Sequence, residues 1–147
     1  MIDSSTAPWA AFALRLALGV MFVAHGLLKI FVFTLPGTAG FFAGQGLPGG
    51  LWFAWLMVAA EVGGGILLIL GIYARWVALA LLPILFGAAW VHAGNGWLFS
   101  NENGGWEYPI FLAVAAIVQT LLGNGALAPN LPPLGTLLGF ERRVRAA

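Results

Sequence analysis

Long apolar runs, separated by short polar or glycine-rich stretches, organise the chain. The runs cover about residues 9–33, 51–70, 76–93 and 109–123, and each approaches the roughly 20 residues that cross about 30 Å of hydrocarbon as a helix. Pro8, after the polar stretch SSTA, suits the first turn of the first helix. Asp3 and the absence of Lys and Arg before this run argue against a cleaved signal. The connection GIYAR at 71–75 is so short that the second and third runs must form an antiparallel hairpin. Residues 34–50 mix Gly and Pro with Phe41, Phe42 and Leu47, so they lie at the membrane interface or dip into it. Residues 94–108 are polar with two tryptophans, as an interfacial loop should be.

Composition sharpens this picture. The 147 residues are 61% hydrophobic and 7% charged, far from the roughly 25% charge of a soluble domain. The expected fold class is therefore an all-α membrane protein, a single four-helix transmembrane bundle in contact with the lipid bilayer. Cysteine is absent, which excludes disulfides, thiolate metal sites and cysteine-ligated iron–sulfur clusters. A net charge of +1 with no basic stripe on a soluble segment gives no reason to expect a nucleic-acid partner. With four spans both termini share one side, and that side carries Arg75, Arg142, Arg143 and Arg145 and is nearer Arg15, against Lys29 opposite. The positive-inside rule then places both termini in the cytoplasm, with residues 124–147 as an interfacial segment ending in a basic tail.

Charges inside apolar spans cost about 2.5–3.5 kcal/mol each on insertion scales unless paired or hydrated, so they carry the information. At about 100° per residue, Arg15, His25 and Lys29 fall within about 80° of one another on the first helix, together with Gly19 and Gly26. Glu61 shares its face of the second helix with Ala54, Met57, Val58, Gly64 and Gly65. Small residues beside polar ones mark faces that pack closely, so these two faces should meet. Glu61 becomes the counter-ion for the basic stripe, with Arg15 the side chain long enough to reach it. Two readings stay open: a buried pair that holds the bundle, and a wet cavity that binds a polar group or moves protons.

At the other end of the helices, His25 and Lys29 with His92, Glu107 and Tyr108 could line an outward-opening pocket capped by Trp97 and Trp106. His25 lies about 12 Å inside its helix end and His92 at the end of its own, a mismatch that argues against bis-histidine haem. No haem, iron–sulfur or metal site is expected. Pro83 should kink the third helix and free the Leu79 carbonyl.

The stretches LRLALGVMFVAHGLLK (14–29), GFFAGQGLP (40–48), AEVGGGILLILGIYAR (60–75) and NGGWEYPI (103–110) resemble the DoxX family of small bacterial membrane proteins. The positions that match are Arg15, His25, Gly26, Lys29, Glu61, Gly64, Arg75, Glu107, Tyr108 and Pro109. The resemblance implies a four-helix membrane bundle in the bacterial cytoplasmic (inner) membrane. Some relatives are the membrane subunit of a thiosulfate:quinone oxidoreductase, and others belong to oxidative-stress or detoxification systems. The resulting expectation is a redox-associated, quinone-linked protein. Glu61, His25 and Lys29 would relay protons or contact the quinone, and Arg15, His92, Glu107 and Tyr108 would bind the ligand. Partners would be other membrane or redox subunits or a second copy. Two rivals remain: a non-catalytic accessory subunit of a larger complex, and a small-solute or proton permease.

Overall fold

The computed structural model describes residues 3–137, so the expected basic tail at Arg142, Arg143 and Arg145 lies outside the described residues. Every regular element among them is helical: α1 (Ala7–Phe31), α2 (Leu35–Gly44), α3 (Leu51–Leu70), α4 (Ala74–His92), a 3-10 turn (Ala93–Asn95), α5 (Glu107–Leu122) and the short α6 (Leu134–Leu137). The four apolar runs become α1, α3, α4 and α5. Three of these helices, α1, α3 and α4 with its 3-10 extension, are long and apolar enough to cross a membrane. The fourth expected span is shorter: the 16 residues of α5 rise only about 24 Å.

Residues expected to lie at the interface form α2. Thr34 opens this helix with φ 60° and ψ 154°, and its hydroxyl accepts from the Gly37 N–H. That backbone region is rarely occupied by a β-branched residue. The Thr38 hydroxyl, one turn on, donates to the Lys29 carbonyl at 3.3 Å, tying α2 to the end of α1.

The α3–α4 hairpin turns on Gly71. It adopts φ 73° at the end of α3, and the Gly71 and Ile72 N–H groups close back on Leu68 and Leu67 at 3.0 and 2.9 Å, a Schellman ending that favours glycine. An added Cβ there would also lie 2.8 Å from the Arg15 guanidinium carbon. Pro83 lies inside α4 on its exposed side.

The antiparallel crossing of α1 and α3 sets the register of the whole molecule. Gly19 and Gly65 meet backbone to backbone, and a Cβ on either would lie 2.7 Å from the other's carbonyl oxygen. Around this crossing Leu18, Phe22, Leu68, Leu81, Leu85 and Leu112 form the core with alanines of α4 and α5. The outer surface is strongly apolar: Trp52 is 63% exposed, Phe111 69% and Leu121 74%, a surface suited to lipid contact. The Ala126 N–H donates to the Pro8 carbonyl at 2.8 Å, so the start of α1 and the chain beyond α5 meet at one end of the molecule.

Substituting Gly65→Val should cost about 1–3 kcal/mol through overpacking, read as reduced resistance to SDS-induced unfolding in detergent. Gly87→Ala, with nothing within 4 Å of the added methyl, should shift stability by less than about 0.5 kcal/mol. Equal effects at the two positions would overturn the close crossing.

Candidate functional site

The register fixed by Gly19 and Gly65 puts Glu61 level with Gly26, whose added Cβ would lie 3.4 Å from the Glu61 Cβ. Lys29, one turn further along α1, reaches the carboxylate and donates from Nζ to Oε1 at 2.8 Å and Oε2 at 2.7 Å. Glu61 is 4% exposed, and this is the one ion pair among the described residues. Basic α1 and acidic α3 therefore meet as their faces predicted, but the partner is Lys29 and the expectation of Arg15 is corrected. The backbone contact at the two glycines slides α3 so that Arg15 stands beside its final turn.

At that other end Arg15, 1% exposed, is held by carbonyl oxygens. Nη1 donates to Leu68 at 3.0 Å and Ile69 at 2.6 Å, and Nη2 donates to Ala126 at 2.8 Å. The guanidinium also lies 4.9 Å from the centre of the Phe12 ring. The last carbonyls of a helix carry partial negative charge, so the end of α3 substitutes for a carboxylate. Arg75 does the same more loosely for α5, donating to Leu121 at 3.3 Å. Asp3 is engaged elsewhere: the Ser5 hydroxyl and N–H donate to it and hold its carboxyl below the usual range. Arg15 is thus remote from the residues expected to share a ligand with it.

The Lys29 end gathers the other candidates. His25 lies 2.9 Å from the Met21 carbonyl through Nδ1. A carbonyl only accepts, so Nδ1 carries the hydrogen, and Nε2 of the neutral ring is left as an acceptor. The ring stacks on Tyr108 with centroids 6.3 Å apart and planes at 28°. Tyr108 lines an open groove of about 460 Å³ with Glu107, Trp97, Phe99, Phe111 and Val114. The loop before α5 forms its rim. The Phe99 N–H donates to Glu107 Oε1 at 2.9 Å, the Glu107 N–H donates to the Trp97 carbonyl at 3.1 Å, and Trp97 meets Trp106 edge to face at 4.5 Å. Gly105 lies so close to the carbonyls of Gly96, Trp97 and Leu98 that no side chain fits there.

The expected pocket is thus formed in part. Glu107 and Tyr108 line it directly with Trp97, and His25 reaches it through Tyr108. Trp106 supports Trp97, while Lys29 is committed to Glu61. His92, the last residue of α4, turns to the neighbouring loop, with Nδ1 against the carbonyls of Asn103 at 3.0 Å and Gly104 at 3.2 Å. Asn95 donates to the same two carbonyls at 3.1 and 2.8 Å. Sequence reasoning missed this asparagine network and the side chain to backbone link between Glu107 and Phe99. The paired glycines of NGGWEYP were the available signal of a tightly folded loop. Among the described residues no three His, Cys, Asp or Glu side chains come together as a metal site.

Helices with lipid-facing exteriors, one intramembrane charge pair and an aromatic groove at one end define a multi-pass membrane protein. The chain belongs to the DoxX family, whose model matches residues 10–94, more than half of its length. It is also similar to an uncharacterized protein of Haemophilus influenzae, 30% identical over 125 residues that cover 82% of this chain and 88% of that one. No solved structure matches it significantly. The family match includes Arg15, His25, Lys29 and Glu61 and stops before the groove residues.

Because the chain has no cysteine, Ala126→Cys provides a clean labelling site. Adding Arg15→Met should release the 126 segment and speed maleimide labelling several-fold, as expected for a segment that opens locally when the partly buried hydrogen bond holding it is lost. An unchanged rate would show that Arg15 does not hold this end closed.

Proposed function

We propose that this protein is a quinone-binding membrane component of a redox system. It sits in the bacterial cytoplasmic membrane with both termini inside and α5 crossing as a fourth span. The arginines at the end shared by the start of α1 and the chain beyond α5 support that orientation. One observation carries the functional reading: an aromatic groove bears the Tyr108 hydroxyl, which has no partner among the described residues, and Tyr108 is backed by His25 with a free Nε2. A quinone ring and its apolar tail need an apolar slot, a donor at the carbonyl and a group that exchanges protons when the ring changes oxidation state. Trp97, Phe99, Phe111 and Val114 supply the slot, Tyr108 the donor and His25 the proton acceptor. Electrons pass to or from a partner protein.

Lys29 and Glu61 stand behind this site. Lys29 is four residues from His25 on α1, so the two share a face, and the Lys29–Glu61 pair fixes the part of α1 that carries His25. The resemblance to the DoxX family adds to this reading, because it implies that some members serve as the membrane subunit of a thiosulfate:quinone oxidoreductase.

The test is quenching of tryptophan fluorescence by a decyl-substituted benzoquinone added to the protein in mild detergent. Saturable quenching is expected, and Tyr108→Phe should weaken binding by about tenfold, the equivalent of about 1.4 kcal/mol, in the range of one net hydrogen bond. Absence of saturable quenching, with the protein instead recovered ligand-free in a larger complex, would reject this reading in favour of an accessory subunit.

A further inference from the structure

The groove offers more than shape, because the direction of each hydrogen bond at its polar end is fixed by its neighbours. Glu107 Oε1 already accepts from the Phe99 N–H, which leaves the second carboxylate oxygen as an acceptor facing no donor among the described residues. His25 directs Nδ1–H at the Met21 carbonyl, which leaves Nε2 as a second acceptor. Lys29, which could have supplied a charged donor, places its ammonium across both oxygens of Glu61. The remaining side-chain donors on its lining are neutral: the Tyr108 hydroxyl, which can also accept, and the Trp97 indole N–H. Hydrogen bonds to an ionised group are roughly twice as strong as neutral ones. The carboxylate therefore dominates the balance, and it demands a ligand that donates.

We propose that this groove discriminates between the two oxidation states of its ligand and holds the hydroxyl-bearing hydroquinone form in preference to the dicarbonyl quinone. The inference rests on the quinone-binding reading above. A hydroquinone can donate one O–H to Glu107 and the other to the Tyr108 oxygen, both of which line the groove. A quinone presents only carbonyl oxygens, so it loses the charged hydrogen bond and sets a lone pair against the carboxylate. A site with this bias stabilises the reduced, proton-bearing state of its ligand, with His25 behind the Tyr108 ring.

The experiment compares binding of decyl-benzoquinone and the corresponding decyl-benzohydroquinone, the latter kept reduced under anaerobic conditions, by tryptophan quenching on the full chain in mild detergent. The expected result is hydroquinone binding about tenfold tighter, the factor corresponding to about 1.4 kcal/mol. Glu107→Gln should bring the ratio to one or reverse it: its amide oxygen still accepts from the Phe99 N–H, while its NH₂ group now points a donor at the ligand. Equal affinities for the two forms in the wild-type protein, or tighter binding of the quinone, overturn the inference while leaving the quinone-binding reading intact. Failure of both forms to bind removes that reading itself. The wild-type comparison decides the matter even if the variant does not fold.

Discussion

An ammonium and a carboxylate facing each other between two apolar helices are the interaction on which the rest depends. Either charge alone in hydrocarbon would cost about 2.5–3.5 kcal/mol or more, so α1 and α3 are stable beside each other only in registers that join them. The small residues make one such register accessible. Gly19 against Gly65 lets the backbones touch, and Gly26 leaves room beside Glu61 for the side chain of Lys29 to arrive from the next turn. Packing and charge thus select the same arrangement, which is the mutual consistency expected of a sequence that specifies one fold.

The two ends of the molecule treat positive charge differently. Arg15 is dispersed over carbonyl oxygens at the end of α3 and beyond α5. Its planar fork serves several acceptors at once, and the result is a closed seam. Lys29 neutralises a single carboxylate at the opposite end, and there the neighbouring polar groups, His25, Glu107 and Tyr108, keep bonding capacity unspent beside an open apolar groove.

Much of the architecture was legible because helical periodicity and hydrophobic length are local properties. The runs mark α1, α3, α4 and α5 to within a few residues, and the short GIYAR connection marks the hairpin. The small and charged faces of the first two spans identify each other correctly. What the faces do not contain is axial register. Angles around a helix say that Arg15, His25 and Lys29 share a sector, but the choice among them depends on where two glycine backbones meet, a property of the pair of helices. Helix α2 escaped because its apolar positions give no strong period and its start relies on Thr34 in an uncommon backbone conformation. The groove was legible in its aromatic rim and in Glu107 and Tyr108, while the loop that binds His92 away from it depends on backbone carbonyls that composition does not reveal.

Whether Lys29 and Glu61 hold each other between α1 and α3 is read by a double-mutant cycle, in which Lys29→Met, Glu61→Gln and the two together are compared with the wild-type protein for resistance to SDS-induced unfolding in detergent. Each single variant should lose stability, and the double variant should lose less than the sum of the two, with a coupling of about 0.5–3 kcal/mol. Strictly additive losses would show that the two side chains do not act as a pair and that the crossing of α1 and α3 does not depend on them.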